Sequence, residues 1–489
     1  MLKWVLALVA SVMLFLSWGS ENGFHFCIYV FLCPLFIAES FLVQSGFIKY
    51  ALGLFFIVVF HLLAGIHLIT DIDQSTIVLL LILNAFLLSI PWAIYIGVKQ
   101  RLSLPISLLF LTILWLGVEQ VSAETGIPSP WFVLGNGLMG RPEFIQFYEY
   151  TGVAGGSLWI LSANCSLFYA INSFLHRKPL AYCVGRLAIF VGLLLLPILL
   201  SKEIKFISLA SPQEVLIVNT RQTNETILKV TFNQLLERSR NNISEKTKYI
   251  IWPESIFESA VSIGDIGKFP VVREVRKHLI GDGPIILVCG LVFSEDYKYY
   301  NTALTISSEN VNVYKKRQLV PFTEYHPSFF GLFKMFIWSD IEISNGEGAM
   351  IETNSVSVNI CYESLFGRIV AENCLKSKGR VLAFISNEFW TPGASEFLLR
   401  ICSIRAIENR KYILRSTNNG IASIIKPDGS VLKSSQSRES LSTIKTDIVP
   451  NDYRTFYMRY GDFIGRSALI SLVVFPFLLF LGKFKAGNS

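Results

Sequence analysis

The stretch SVSVNICYES, residues 355–364, contains a short strand that stops at a cysteine. Residues 355–360 have the composition of a buried strand, and a helix is predicted to start near Leu365. Cys361 therefore lies at a strand-to-helix corner, a position at which other enzymes expose a nucleophile. A helix N-terminus and a nearby lysine would both favour the thiolate. A lone cysteine is more often a buried structural residue, so the interpretation depends on its neighbours.

Apolar segments that resemble strands recur on both sides of this corner and alternate with helical segments. Further strands are predicted over 214–218, 249–252, 284–293, 381–386 and 412–416, with helical stretches ending near 240 and spanning 394–409. This alternation predicts a mixed α/β domain. Functional side chains in such domains usually lie at the C-terminal ends of strands, where Cys361 is found.

Two further polar stretches supply groups that a thiol nucleophile needs. Glu254, in WPES at 252–255, follows a predicted strand, and a carboxylate in an apolar setting is suited to general-base work. Lys315 and Lys316, in YKKRQLVPFTE at 314–324, offer an ammonium for an oxyanion. Taken separately, the glutamate is an ordinary surface residue, and the basic run is a solvated turn or a contact for anionic lipid headgroups.

The composition of the chain is that of a polytopic membrane protein. Of its 489 residues, 52% are hydrophobic and 16% are charged, and the mean hydropathy of +0.49 is too high for a soluble protein. Apolar runs of about spanning length lie near 3–18, 24–42, 47–69, 75–97, 102–120, 152–175, 181–201 and 465–482. The first run could be a signal peptide, but the spans that follow it directly favour an uncleaved anchor.

The predicted architecture is a polytopic α-helical membrane protein of about eight spans with one inserted α/β domain. We expect a seven-span region over 1–204, a catalytic domain over 205–460, and a transmembrane helix with a cytoplasmic tail over 461–489.

Charges in the loops predict the orientation of the spans. Asp71 and Asp73 fall on one side of the membrane, and the basic loop residues fall on the other: Lys49, Lys99, Arg101, His176, Arg177, Lys178, Lys483 and Lys485. The positive-inside rule then puts both termini in the cytoplasm and the α/β domain on the periplasmic or exterior side of a bacterial cytoplasmic membrane. The net charge of +7 is largely accounted for by the excess of basic residues in these loops. It gives no reason to expect nucleic acid as a partner.

The cysteines do not form a metal-binding or disulfide pattern. Eight are scattered along the chain without C-x-x-C spacing. We expect neither a metal nor a cofactor.

The three polar stretches, in this order, resemble those of the nitrilase superfamily, whose members use a Glu-Lys-Cys triad in an α-β-β-α sandwich. With seven spans before the domain and one after it, the chain resembles the apolipoprotein N-acyltransferases, the membrane-bound branch of that superfamily. The resemblance covers nearly the whole chain. Its specific matches are WPES at 252–255, LVPFTE at 319–324, CYES at 361–364, RAIE at 405–408, RSTNNG at 415–420 and YMRYGD at 457–462.

The resemblance implies Glu254 as the base, Lys316 as the oxyanion stabiliser and Cys361 as the nucleophile. It favours Lys316 over Lys315 because Lys316 lies eight residues before Glu324, as the family lysine does before its glutamate.

Three residues match positions that the family uses to support the site or bind substrate. They are Glu324, Tyr362 and Glu363.

The reaction implied by the resemblance is an acyl transfer without a cofactor. A membrane phospholipid is the acyl donor, Cys361 forms a thioester, and the N-terminal amine of a diacylglyceryl-cysteine lipoprotein is the acceptor. We expect the enzyme to be a monomer.

Two segments depart from the family pattern, NTRQ at 219–222 and NEFWTPG at 387–393. They leave open a membrane-bound nitrilase-like amidase or hydrolase, or an acyltransferase with another acceptor. A non-catalytic membrane assembly factor is a further alternative.

One apolar run within the domain suggests a contact with lipid. Residues 328–338 are aromatic or aliphatic at most positions, with Lys334 as the only charge. We expect a lipid-facing arm over the site, with a core helix as the alternative.

Overall fold

The chain divides into two compact units, a helical unit and an α/β unit. In this computed structural model the helical unit is formed mainly by residues up to Ile204 and from Tyr460 onward, and the α/β unit by Lys205–Arg459. The residues described are 1–65, 74–127, 130–206, 208, 210–221, 231–255, 261–262, 266, 269–321, 323–325, 343–346, 355–388, 392–435 and 440–486. The predicted arm at 328–338 lies outside these residues.

The helical unit contains a helix in every apolar run of the sequence. The helices are α1 (Leu2–Ser17), α2 (Leu32–Phe41), α3 (Gly46–Gly65), α4 (Gln74–Leu88), α5 (Ile90–Lys99), α6 (Leu104–Thr125), α7 (Tyr148–Leu175), α8 (Leu180–Glu203) and the C-terminal helix Phe463–Ala486. A 3₁₀ turn, Gly23–Tyr29, precedes α2.

Five helical segments of the described chain are long and apolar enough to cross a membrane. They are Gly46–Gly65, Leu81–Lys99, Leu104–Thr125, Tyr148–Leu175 and Leu180–Glu203. Gly23–Tyr29 and α2 form a bent pair that would make a sixth span. A membrane protein with several apolar helices is therefore confirmed, whereas the number of eight spans stays a prediction.

A buried glutamate connects three of these helices. Glu39 of α2 is 1% exposed, and its carboxylate pairs with Lys49 of α3 at 2.7 Å and also with Lys99 of α5. A carboxylate in an apolar unit requires such partners because an unpaired buried charge is costly. The two basic residues counted as loop charges thus also hold the helices together.

The α/β unit contains twelve strands and five α-helices among its described residues. The strands are β1 (Gln213–Thr220), β2 (Thr247–Ile251), β3 (Val261–Ser262), β4 (Ile286–Glu295), β5 (Lys298–Ile306), β6 (Val311–Lys315), β7 (Val356–Ile360), β8 (Val381–Asn387), β9 (Ile413–Asn418), β10 (Ala422–Ile425), β11 (Val431–Ser435) and β12 (Leu441–Ile448). The helices are α9 (Phe232–Arg240), α10 (Pro270–Val275), α11 (Gly367–Ser377), α12 (Ser395–Asn409) and α13 (Phe456–Tyr460).

The strands form two half-sheets. One has the order β12-β1-β2-β4-β5-β6, with β3 beside β4, and the other has the order β7-β8-β9-β10-β11. The halves are joined where the end of β1 pairs with the end of β9, at Thr220 and Asn418. The strands β1, β2 and β4 run parallel, as do β7, β8 and β9, so each half has several C-terminal ends along one edge.

Alternation along the strands produces the layers. In β1, Val215 and Ile217 pack with residues of the other half-sheet such as Val358, whereas Leu216 and Val218 pack against the helical layer of α9 and α10. The outer face of the second half-sheet packs against α11 and α12 in the same way. The predicted α-β-β-α sandwich is confirmed.

The strand-to-helix corner differs slightly from the prediction. The residues Cys361–Leu365 form a 3₁₀ turn, and α11 begins at Gly367 instead of near Leu365. The carboxylate of Glu363 accepts a hydrogen bond from the N–H of Ile360 at 2.8 Å, which closes this turn across the cysteine.

The strands β3, β5, β6 and β10 to β12 were not predicted. In several of these strands, apolar residues alternate with Lys, Ser or Thr, and β11 is largely exposed. These strands therefore lack the continuous apolar run that is typical of a buried parallel strand.

Candidate active site

Cys361 lies at the end of β7 in a strained backbone conformation. Its φ is +48°, which is uncommon for a residue with a side chain. The preceding Ile360 is fully buried, whereas Cys361 is partly exposed. The other cysteines of this unit, Cys289, Cys374 and Cys402, are buried. The turn therefore leaves Cys361 less enclosed than the other three cysteines.

The thiol of Cys361 is neutral in this environment. Burial raises its pKa to about 12, and Glu254 raises the pKa further, while Lys316 acts in the opposite direction. Lys316 favours the thiolate, as the sequence predicts for a nearby lysine, but loss of water and the carboxylate of Glu254 act more strongly in the opposite direction. Cys361 therefore needs a base to become a nucleophile.

Glu254 is a buried carboxylate that interacts electrostatically with both Lys316 and Cys361. It follows the buried Trp252 at the end of β2 and is 4% exposed. Its Oε1 lies 3.7 Å from Nζ of Lys316, and its Oε2 accepts the N–H of Asn387 at 2.7 Å. Burial raises the pKa of Glu254, Lys316 opposes this, and Glu324 adds to it. A carboxylate with an elevated pKa binds protons more readily, as a general base must.

Lys316 is held by its backbone as well as by its ammonium. It is 1% exposed, and its Nζ donates to Oε1 of Glu324 at 2.9 Å. Its N–H donates to the carbonyl of Asn301, and its carbonyl accepts the N–H of Gly346, both at 2.8 Å. Burial alone would lower the pKa of Lys316, but Glu324 and Glu254 raise it above its ordinary value. The ammonium stays charged and in a fixed position.

Lys315 lies outside this cluster. Its side chain is 27% exposed, pairs with Glu295 and lies 4.2 Å from the ring centroid of Tyr300. The structure thus brings Lys316, and not Lys315, beside the two carboxylates.

Two of the three predicted supporting residues bind other parts of the site through their carboxylates. Glu324 binds Lys316 through Oε1 and accepts the N–H of Val320 through Oε2 at 2.8 Å. Glu363 is fully buried, and its Oε1 accepts the hydroxyl of Tyr314 at 2.6 Å and the N–H of Arg317 at 2.7 Å. Glu363 therefore connects the segment after Lys316 with the turn at the cysteine.

The third supporting residue, Tyr362, is 5% exposed and packs edge-on against Phe366, with ring centroids 5.3 Å apart. This packing supports the turn that carries Cys361.

Two of the other matched motifs contribute buried ion pairs. Arg405 pairs with Glu408 at 2.7 Å. Arg415 pairs with Glu388, which lies in the segment 387–393 that differs from the family pattern. In that segment, Asn387 contributes its N–H to Glu254, and residues 389–391 lie outside the described residues.

Sequence analysis missed Asn301 and Gly290. Asn301 of β5 donates to the carboxylates of Glu254 and Glu324, and Gly290 of β4 lies against the backbone of Glu254. The signal for both was their residue type, because asparagine and glycine are disfavoured inside strands unless a close approach or a polar contact requires them.

The described residues contain no group of three or more His, Cys, Asp or Glu side chains arranged to hold a metal ion. The cluster instead offers a thiol, a carboxylate and an ammonium in mutual electrostatic contact. Such a set can carry out nucleophilic attack on a carbonyl with proton transfer and oxyanion stabilisation.

Comparison with known proteins gives one family match in the N-terminal part of the chain and one in the α/β unit. Residues 3–166 match the family model of the apolipoprotein N-acyltransferase N-terminal domain, and residues 218–457 match that of carbon-nitrogen hydrolase. An apolipoprotein N-acyltransferase of Geobacter metallireducens is 25% identical over 79% of this chain and 76% of its own length. Apolipoprotein N-acyltransferase 2 of Treponema denticola is 28% identical over 78% of each chain.

Solved structures are more distant. The NitFhit protein of C. elegans is 17% identical, covering 49% of this chain and 61% of its own, with a TM-score of 0.38.

Substitution of Gly290 should displace Glu254. A Cβ atom at this position would lie 2.6 Å from Cα of Glu254 and 2.8 Å from N of Ser255, so one of the backbones must move. Because a misplacement of about 1 Å can cost about 10²-fold in rate, we expect Gly290→Ala to lose activity on this scale. The activity of the purified variant, normalised to folded protein, measures this.

Gly185→Ala is the matched control, since an added Cβ there meets no atom within 4 Å. Full activity of Gly290→Ala would contradict the requirement for this close approach.

Proposed function

Because the chain belongs to the family of apolipoprotein N-acyltransferases, we propose that it transfers an acyl chain from a membrane phospholipid to the N-terminal amine of a diacylglyceryl-cysteine lipoprotein. The transfer passes through a thioester on Cys361. The observation that carries the proposal is the cluster of Glu254, Lys316 and Cys361 within a chain that also has several apolar helices.

In the first half-reaction, the phospholipid ester is attacked by sulfur. Glu254 takes the proton of the Cys361 thiol, and the thiolate adds to the ester carbonyl. The ammonium of Lys316 stabilises the oxyanion that forms. The carbon–oxygen bond to the lysophospholipid then breaks, and Glu254 returns the proton to the departing alcohol. The products are the thioester and the lysophospholipid.

In the second half-reaction, the amine of the lipoprotein attacks the thioester. Lys316 again stabilises the oxyanion, and Glu254 accepts a proton from the amine. The carbon–sulfur bond breaks, an amide forms, and Glu254 passes the proton to the departing thiolate, which restores the starting thiol. The high pKa of the free thiol, about 12, keeps Cys361 protonated between turnovers.

The supporting residues act by fixing these groups. Glu324 keeps the ammonium of Lys316 beside the base, and Glu363 keeps the cysteine turn against the segment that follows Lys316. A preorganised charge stabilises the oxyanion without reorganisation at the moment of reaction.

The same proposal includes the location of the protein. We infer a multi-pass monomer of the bacterial cytoplasmic membrane, with segments 1–204, 205–460 and 461–489 and with the catalytic domain facing the periplasm or exterior. The distribution of loop charges supports this orientation.

Replacement of the nucleophile should abolish the thioester. We expect Cys361→Ala and Cys361→Ser to form none, because the sulfur is the attacking atom, whereas Cys374→Ala and Cys402→Ala should form it normally. Each full-length variant is incubated with phospholipid carrying a labelled acyl chain, and the hydroxylamine-sensitive label on protein is measured.

The outcome separates this function from its alternatives. Normal labelling of Cys361→Ala would refute the mechanism. Loss of the label as free fatty acid, at the same rate with and without lipoprotein acceptor, would instead indicate a hydrolase.

Loss of the base or of the oxyanion donor should be nearly as severe. We expect Glu254→Gln and Lys316→Ala each to lower the acylation rate by at least about 10²-fold, the usual scale for these roles. Lys315→Ala is the matched control, because its side chain pairs with Glu295 outside the cluster. If Lys315→Ala were the inactive variant and Lys316→Ala active, the assignment of the lysine would be wrong.

A further inference from the structure

Asn301 contacts three parts of the proposed site. Its Nδ2 donates to Oε1 of Glu254 at 2.6 Å and to Oε1 of Glu324 at 2.9 Å. Its backbone carbonyl accepts the N–H of Lys316 at 2.8 Å. The residue lies on β5 and is 6% exposed, so water does not compete for these bonds. A single side chain thus connects both carboxylates, and its backbone anchors the lysine.

The chemistry of the site dictates which way this amide points. Both partners are carboxylate oxygens, which accept hydrogen bonds, so only the NH₂ end of the amide can face them. An amide oxygen in the same place would oppose two acceptors. The two N–H bonds of the NH₂ group therefore serve one carboxylate each.

The two hydrogen bonds from Asn301 hold two carboxylates that repel each other. Glu254 and Glu324 lie 3.7 and 2.9 Å from the one ammonium of Lys316, and like charges at such a site oppose the ionisation of both carboxylates. Aspartate or glutamate in place of Asn301 would add to this repulsion. An asparagine supplies two donors without adding a charge.

We propose that Asn301 is a positioning residue that directs the Glu254 and Glu324 carboxylates to the Lys316 ammonium and thereby keeps Glu254 available to take the proton of Cys361. The inference deepens the proposed function and rests on it for the role of Glu254 as base. It concerns the state of Glu254 before any substrate reacts, so it can be tested without the acceptor.

The electrostatics of Glu254 agree with this role. The groups that act on its carboxylate are Lys316, Glu324, the amide of Asn301 and the N–H of Asn387. The hydrogen bond from Asn301 lowers the pKa of Glu254 against the larger effect of burial. Removal of this donor should raise that pKa, and a carboxylate in its place should raise it further. The fraction of ionised base then falls at a given pH.

The test measures how the reactivity of Cys361 depends on pH. Full-length protein in detergent is treated with iodoacetamide between pH 5 and pH 10, and alkylation of the peptide that contains Cys361 is followed by mass spectrometry. The rate should rise with pH as Glu254 ionises. For Asn301→Asp we expect this rise to move by about one pH unit or more to higher pH, because a like charge in contact disfavours ionisation. Asn301→Ala should move it less, in the same direction.

Thr302→Val is the matched control on the same strand. Thr302 is fully buried, and its hydroxyl donates to the carbonyl of Leu291 at 2.8 Å without contact to the triad. This variant should lose some thermal stability, while the pH dependence of Cys361 alkylation stays that of the unmodified protein. The difference separates positioning from a general effect on the fold.

A double variant tests the repulsion itself. Addition of Glu324→Gln to Asn301→Asp removes one negative charge and should return the pH dependence towards that of the unmodified protein. If Asn301→Asp does not fold, Asn301→Ser, which keeps one hydroxyl donor, should show a smaller shift in the same direction.

An unchanged pH dependence in folded Asn301→Ala and Asn301→Ser would overturn the inference. Failure of acyl transfer is a separate result, because iodoacetamide reports on Cys361 and Glu254 whatever the donor or acceptor is. Normal pH shifts without any thioester from phospholipid would retain the role of Asn301 and refute the proposed reaction.

Discussion

The ammonium of Lys316 is almost completely buried, and a buried charge is stable only where opposite charges and hydrogen bonds replace water. Glu324 at 2.9 Å and Glu254 at 3.7 Å provide the charges, and backbone bonds to Asn301 and Gly346 fix the chain on either side of the ammonium. This requirement determines much of the site. Both carboxylates must approach one lysine, so they repel each other, and a neutral donor has to hold them. The same burial that makes the charge costly also makes it effective against an oxyanion.

The two half-sheets supply these groups from strands that are distant in sequence. Glu254 follows β2 and Asn301 lies on β5 of one half, whereas Cys361 follows β7 and Asn387 ends β8 of the other. The apolar interface between the halves excludes water and brings these elements together. Gly290 allows the segment with Glu254 to lie directly against β4. Stability of the sandwich and reactivity of the site therefore depend on the same packed interface.

The turn at Cys361 combines exposure with low intrinsic reactivity. Its φ is positive, and its side chain packs against the core in which β7 is buried. Burial and Glu254 raise its pKa to about 12, which favours the neutral thiol. A resting thiolate is more open to oxidation than a thiol. In the proposed mechanism, coupling of ionisation to Glu254 restricts the reactivity of Cys361 to the moment when a carbonyl can be attacked.

The sequence by itself determined the class of the protein, the strands around Cys361 and the three polar stretches that carry Glu254, Lys316 and Cys361. These features depend on composition, on periodicity and on residue types close together in the chain. The tertiary structure decided which groups meet. Asn301 of β5 donates to Glu254 and to Glu324, which belong to segments distant from it in the sequence. The N–H of Asn387 donates to the carboxylate of Glu254, 133 residues earlier in the chain. The net direction in which the pKa of Cys361 shifts likewise depends on burial and on Glu254, neither of which local sequence shows. Periodicity shows which face of a strand is buried, but hydrogen bonds and loss of water depend on which strands pack together.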